Sequence, residues 1–304
     1  MLVNKYTWWR RMTYRLYRAL PATRLIKRAS LPMKVKKLQR LVDARRAELA
    51  AEVATGGRHP LFSHIEIETI NRCNGECGFC PVNRHIDPRP AQRMTDELFR
   101  SIIDQLHDLD YRGAVYPYSN NEPLLDTRIF DFVAYARERL PNALLFIYSN
   151  GLLLTPEKYL RLAPLVNYFT INNYCNDFKL RDNVREIHEL ASRDPALDAK
   201  TRVVMRYQQE IMTSRGGQSP NKLDILPETL PVGCLLPARQ VVVRPDGKLS
   251  LCCNDALGKI TLGDLTTESL ADAWWGARYV DIRKRVLDGR DALDLCRHCD
   301  TLHF

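Results

Sequence analysis

From His64 onward, short apolar runs alternate with segments whose apolar residues recur every three or four positions. This is the texture of β/α units around a mostly parallel sheet. The runs HIEIETI (64–70), GAVYPY (113–118), ALLFIYS (143–149), VNYFTI (166–171) and TRVVMRY (201–207) predict strands. The helices between them have legible starts. Thr95 is placed to cap one whose apolar face uses Leu98, Ile102, Ile103, Leu106 and Leu109; Asp126 precedes another bearing Phe130, Val133 and Ala134; Thr155 followed by Pro156 opens a third. At least five such units predict an α/β fold closed into an open or partial barrel, with its chemistry in the loops after the C-terminal strand ends.

Both ends of the chain depart from this pattern. Residues 1–60 interleave large apolar and aromatic residues with cations, and Pro21 and Pro32 predict breaks into short helical pieces. Trp8, Trp9, Met12, Leu16 and Leu20 roughly follow a helical stripe, with Arg10, Arg11, Arg15 and Arg18 mostly off it. From about residue 231, RQVVVRPDGKLSLCC predicts a β-hairpin with a type I turn at Arg244, Pro245, Asp246 and Gly247, followed by a helix around AWWGARYVDIRKRV and a cysteine-bearing tail. Three regions result: a basic amphipathic segment (1–60), a barrel (61–230) and a small second domain (231–304).

At 304 residues, 45% hydrophobic and 27% charged, the chain is long enough for a substantial core. No run approaches the roughly 18 apolar residues of a spanning helix, and no apolar signal region opens the chain, so neither export nor membrane spanning is expected. The net charge of +9 is uneven: residues 1–60 hold 15 Lys and Arg against 3 Asp and Glu. Such a segment fits a helix packed on its own catalytic domain or, for residues 1–55, an anionic membrane surface. No base-reading signature points to nucleic acid. Nine cysteines, an odd number at close spacings, place the protein in a reducing, cytoplasmic setting, possible contact with a membrane surface included, where thiolates serve metals.

Cys73, Cys77 and Cys80 lie in CNGECGFC, directly after the first predicted strand. Three thiolates this close can share one inorganic centre while leaving a coordination position for another group. His85 could complete a zinc site, although the spacing is unusual for structural zinc. The arrangement resembles the radical S-adenosylmethionine (SAM) superfamily, whose fingerprint is Cys-x3-Cys-x-aromatic-Cys after the first strand of a partial (β/α)6 barrel, with Phe79 as the aromatic. The resemblance implies a 4Fe-4S cluster with one iron free to chelate SAM, and reductive cleavage to a 5′-deoxyadenosyl radical. It also implies a one-electron reductant such as flavodoxin or ferredoxin. SNNEPLLD then stands where the family carries a Gly-Gly-Glu-like motif, making Asn121 and Glu122 candidates for the SAM amino group. Ser149 and Asn150, in SNG, fall where a turn lies near the nucleoside, and Arg215 in SRGGQSPN is a candidate for the SAM carboxylate or a substrate anion.

Cys234, Cys252, Cys296 and Cys299 resemble the abbreviated SPASM, or twitch, extension, in which four cysteines hold one auxiliary 4Fe-4S cluster. Four cysteines ending in Cys-x2-Cys also fit tetrahedral zinc. Adjacent strand residues point to opposite faces, so Cys252 and Cys253 do not readily share a centre. The spacing favours Cys252 as ligand and leaves Cys253 either packed in apolar surroundings or presented as a hydrogen-atom donor, with Cys175 a weaker donor candidate. The resemblance further implies a small-molecule or glycan substrate of sugar or aminocyclitol type, epimerised or dehydrogenated. The rival within the family is a peptide maturase, for which residues 1–60 are too short and basic to form a winged-helix domain. From a different class comes a zinc-stabilised protein binding nucleic acid or membrane.

Overall fold

A computed structural model describes residues 2–4, 21–56, 61–177, 179–210, 212–221 and 229–302. Five parallel strands supply the core of the sheet: β2 (His64–Ile67), β3 (Ala114–Tyr116), β4 (Leu144–Ser149), β5 (Tyr168–Tyr174) and β6 (Thr201–Arg206). They lie side by side in chain order, as successive right-handed β/α units require. Both edges are extended by chain from outside this run. Strand β1 (Leu2–Asn4) pairs parallel with β6, taking the sixth place of the partial barrel, and β7 (Gln240–Val243) pairs parallel with β2. From β7 the sheet turns antiparallel through β8 (Lys248–Ser250) to β9 (Thr261–Asp264). The expected type I turn joins β7 to β8, with Gly247 N–H donating to Arg244 C=O at 3.0 Å. One sheet therefore runs through the barrel and into the C-terminal region.

Strand alternation divides the side chains. Ile65, Ile67, Val115, Leu145, Ile147, Phe169, Ile171 and Val203 point outward into a buried layer with the helices. Helix α2 (Asp96–Asp108) is capped by Thr95 as expected, its hydroxyl accepting from Leu98 N–H, and it buries Phe99, Ile102, Ile103 and Leu106. Helix α3 (Ile129–Arg139) buries Ile129, Phe132, Val133 and Ala136, so the face expected from Phe130 and Ala134 is rotated by about one residue. Asp126 does not cap it, because its carboxylate binds the Arg128 guanidinium. Helix α4 (Pro156–Leu162) starts as expected, with Thr155 as cap. Helices α5 (Asp182–Ser192) and α6 (Pro195–Lys200) complete the layer.

The expected break at Pro32 does not occur. A single helix, α1 (Pro21–Ala54), runs through it. An interior proline costs about 3 kcal/mol, but the helix beyond it buries Leu38, Val42 and Leu49 against Leu230, Val232, Leu235, Ala238 and Leu287. Full burial of each such aliphatic side chain contributes about 1.5–3 kcal/mol, enough to hold the helix continuous. Arg45 secures it, donating to Ala238 C=O at 3.2 Å and to both oxygens of Glu52. The N-terminal helix thus packs on its own protein, chiefly on the C-terminal region. The Trp8 to Leu20 stripe lies outside the described residues. Among the described residues, no helix is long and apolar enough to cross a membrane.

After β9 come α7 (Leu270–Trp275), α8 (Ala277–Asp288) and α9 (Asp294–Arg297), the predicted long helix being divided at Gly276.

Candidate active site

The loop after β2 carries Cys73, Cys77 and Cys80 across the open end of the sheet. Arg89 fixes its base, donating to Glu68, Asp87, Asn71 C=O and Asn120 C=O. The loop is also stitched to its neighbours: Glu122 N–H donates to Arg72 C=O at 3.0 Å and Gly78 N–H to Gln208 C=O at 2.8 Å. The three cysteines line an open cavity of about 220 Å³. Its walls include Tyr118, Asn121 and Glu122 after β3, Tyr148 and Asn150 at the end of β4, Tyr174 on β5, and Arg215.

Glu122 ties two expected motifs together. Its carboxylate accepts from Ser149 Oγ and Asn150 N–H, both at 2.8 Å, and from Leu124 N–H at 3.2 Å. Burial raises its pKa to about 7 against those bonds. Three accepted bonds leave capacity for a further donor, as an ammonium group would supply. The Asn150 amide donates to Asn74 Oδ1 at 2.8 Å and reaches Cys73 Sγ at 3.8 Å. Asn121, also on the cavity wall, accepts from Ser119 N–H at 2.9 Å and makes no hydrogen bond from its buried Nδ2. Arg215 has a φ of +48°, a strained conformation for a non-glycine residue, and its Nη1 donates to Asn120 Oδ1 at 2.9 Å. All five expected cofactor-contacting residues, Asn121, Glu122, Ser149, Asn150 and Arg215, therefore line one cavity with the three thiols.

The donor set fits an iron-sulfur cluster with SAM beside it. Gly75 N–H donates to Cys73 Sγ at 3.3 Å, and a Cβ at Gly75 would stand 3.3 Å from that sulfur and 3.8 Å from Cys77 Sγ, inside the cradle. Burial pushes the Cys73 and Cys77 thiols up to about 12, so metal binding must supply the charge that ionises them. Among the described residues, no three His, Cys, Asp or Glu side chains are gathered tightly enough for a single metal ion. His85 is excluded as a fourth ligand in the described arrangement: it turns outward to Glu76, at 3.2 Å, with 60% of its side chain exposed.

Cys234, Cys252, Cys296 and Cys299 meet in the buried core of the C-terminal region, where each of the first three is close enough to others of the set for their charges to interact. Burial raises the Cys252 thiol far above its usual range and Cys296 to about 12. The buried Arg290 guanidinium sits beside the set, donating to the carbonyls of Val232, Cys299 and Thr301. Cys253 leaves Cys252 for the other face, toward Glu66, Arg215 and Gln240. Cys175 is not among the cavity-lining residues, and its thiol donates to Asp177 at 2.9 Å.

The loop at 214–219 joins the two cysteine sets. Ser219 Oγ donates to Phe79 C=O at 2.8 Å, while Ser214 N–H donates to Asp300 Oδ1 at 2.6 Å and Ser214 Oγ donates to His298 C=O at 2.7 Å. Gly216 is required there: at φ +62°, a Cβ would fall 2.6 Å from Leu295 Cγ and 2.9 Å from Leu295 C=O.

Comparison with known families agrees with this layout. Residues 67–193 match the radical SAM superfamily, and residues 234–300 match SPASM, an iron-sulfur cluster-binding domain. The chain belongs to the radical SAM superfamily. This radical SAM enzyme is 26% identical over 246 residues to the S-adenosyl-L-methionine-dependent 2-deoxy-scyllo-inosamine dehydrogenase of Niallia circulans, covering 80% of this chain and 94% of the relative. A 103-residue stretch is 28% identical to the AdoMet-dependent heme synthase of Nitratidesulfovibrio vulgaris, covering 34% of this chain and 27% of that one. The crystal structure of BtrN in complex with AdoMet and 2-DOIA superposes with a TM-score of 0.69 at 26% identity, over 80% of this chain and 94% of BtrN. The structure of anSMEcpe with bound AdoMet shares the fold at a TM-score of 0.52 and 13% identity, over 75% and 81% of the two chains. A radical SAM oxidoreductase takes a 4Fe-4S cluster and SAM, a small-molecule substrate and a reductant, and the SPASM region adds iron-sulfur binding.

Tyr118, Tyr148, Asn172 and Tyr174 were not singled out from the sequence as site residues. Their signal is strand alternation: Asn172 and Tyr174 sit two apart on β5, on the face opposite Phe169 and Ile171.

Proposed function

We propose that this enzyme dehydrogenates a polyhydroxylated ring, an aminocyclitol or a closely related sugar, converting one secondary alcohol to a ketone. The observation that carries the reading is the junction between the two cysteine sets. Asn120, on the wall of the SAM-side cavity, donates to Cys253 C=O at 3.2 Å, one residue from Cys252. Alcohol oxidation needs an electron acceptor close to the substrate radical, and this junction supplies a short route to one. The likeness to the inosamine dehydrogenase, over nearly the whole of that relative, supports the same reading.

Cys73, Cys77 and Cys80 would hold the SAM-binding cluster, and Cys234, Cys252, Cys296 and Cys299 the auxiliary one. With both bound, the cofactors supply a 5′-deoxyadenosyl radical and a one-electron acceptor. The chain's own residues orient the reaction. Glu122 and Asn121 receive the SAM amino-acid end, Asn150 supports Cys73, and Tyr118 and Tyr148, stacked at 5.5 Å, form one wall of the cavity. The reductant is of flavodoxin or ferredoxin type. We divide the chain into the N-terminal segment (1–60), the barrel (61–230) and the auxiliary-cluster region (231–304), the cytoplasm being its proposed location.

Epimerisation is the second reading, favoured by the Cys253 side chain, which faces Arg215 and Glu66 and could return a hydrogen atom. Anaerobically reconstituted protein, given SAM, reductant and 2-deoxy-scyllo-inosamine or related aminocyclitols, is expected to release a ketone detectable by mass spectrometry. An isomer of unchanged mass would favour epimerisation, and no product from any polyol would overturn both.

A further inference from the structure

One half-buried carboxylate lies outside both cysteine sets and outside the residues assigned to SAM. Glu66 lies on the inward face of β2, between Ile65 and Ile67, which point outward into the core. Its Oε2 accepts from Ser119 Oγ at 2.6 Å and its Oε1 from Gln240 Nε2 at 3.2 Å. Ser119 lines the cavity. The same hydroxyl oxygen accepts from Asn120 Nδ2 at 3.2 Å, and Asn120 in turn accepts from Arg215 and donates to Cys253 C=O. An ordered hydrogen-bond path thus leads from the cavity wall to a carboxylate in the bore of the barrel.

Resting on the dehydrogenase reading, we propose that Ser119 and Glu66 form the proton exit of the reaction, Ser119 touching the substrate hydroxyl and Glu66 acting through it. Once a hydrogen atom has left the carbon, the substrate is a radical that still carries its O–H. The O–H bond breaks, that proton passes to Ser119 Oγ, and the Ser119 proton moves to Glu66 Oε2. The carbon–oxygen bond becomes a carbonyl as one electron departs to a one-electron oxidant of the iron-sulfur class. Losing the electron first would leave a protonated ketone in a buried site, a charge that burial disfavours.

The surroundings suit the role. Burial raises the Glu66 pKa to about 7, opposed by the Ser119 bond, the Arg215 charge and the Gln240 bond, and a base works best with a pKa near the working pH. The other titratable groups facing it are Glu68, Tyr116, Tyr118 and Cys253. The tyrosines and the thiol are pushed upward by burial and stay neutral at that pH.

The test is Glu66→Gln beside Glu66→Asp in the reconstituted full chain. In the wild type, ketone formation should fall as pH drops through about 7. Glu66→Gln should lower ketone formation roughly 10²–10⁴-fold and abolish that pH limb, while 5′-deoxyadenosine still forms and a substrate-radical signal builds up in electron paramagnetic resonance. Glu66→Asp should restore part of the rate together with the limb. Ketone from Glu66→Gln at the wild-type rate with the limb intact would overturn the relay alone. Equal loss of 5′-deoxyadenosine and ketone in both variants would assign Glu66 a structural part and also overturn it. A wild-type chain that makes an epimer and no ketone removes the dehydrogenase reading, and the relay with it.

Discussion

Single residues decide which chemistry the cavity supports. Cys252 and Cys253 are neighbours in sequence, yet one joins the buried set of four thiols and the other faces Glu66 and Arg215. Strand alternation predicted that divergence, but β8 ends at Ser250 and both cysteines lie in the turn that follows, so the turn and not the pleat sends them apart. For a dehydrogenase, Cys253→Ala should leave ketone formation near the wild-type rate, because the radical is quenched by electron loss. Loss of turnover with return of unchanged substrate, followed by chromatography, would mark the thiol as a hydrogen donor. The three cysteines of the first loop were also plain, since their spacing is a local property. Glu66 and Gln240 were not, because 174 positions separate them and only the pairing of β2 with β7 brings them together.

Elements were legible where local signals and burial coincide. Thr95 and Thr155 cap α2 and α4 as their hydroxyls dictate, and Pro245, Asp246 and Gly247 turn the β7–β8 hairpin. The N-terminal helix was not legible, because the local signal at Pro32 was outweighed by packing that lies some 200 residues away in the chain. Nor was β1, three residues whose strand exists only because β6 offers an open edge. If α1 is a structural part of the C-terminal region, Leu38→Ala should destabilise the chain by about 2–5 kcal/mol, read as a lower urea midpoint. An unchanged midpoint would mean that the helix is not docked in solution.

At the scale of the whole molecule, the barrel and the cysteine-bearing C-terminal region share one sheet, and the 214–219 loop bridges their two cysteine sets. The cavity wall and the bore behind it consequently hold carboxylates whose cost depends on pH, Glu122 on the wall and Glu66 behind Ser119. Glu66 and Glu122 both titrate at about 7 when folded against 4.5 in the open chain, burial being the main cause. A raised carboxylate pKa means that the folded state binds more protons between those values, so stability falls as pH rises from about 4.5 through 7. The cofactor-free protein should therefore show a higher urea midpoint at pH 6 than at pH 8, with Glu122→Gln flattening the slope. A midpoint that climbs over that interval would contradict the assignment of these two groups.

The most direct measurement follows a single hydrogen. An aminocyclitol deuterated at its ring carbons is incubated anaerobically with the reconstituted enzyme, SAM and reductant, and the released 5′-deoxyadenosine is weighed by mass spectrometry. One deuterium transferred for each ketone formed is the expected result. Unlabelled 5′-deoxyadenosine in the presence of turnover, or none at all from protein with both cysteine sets loaded with iron, would contradict it.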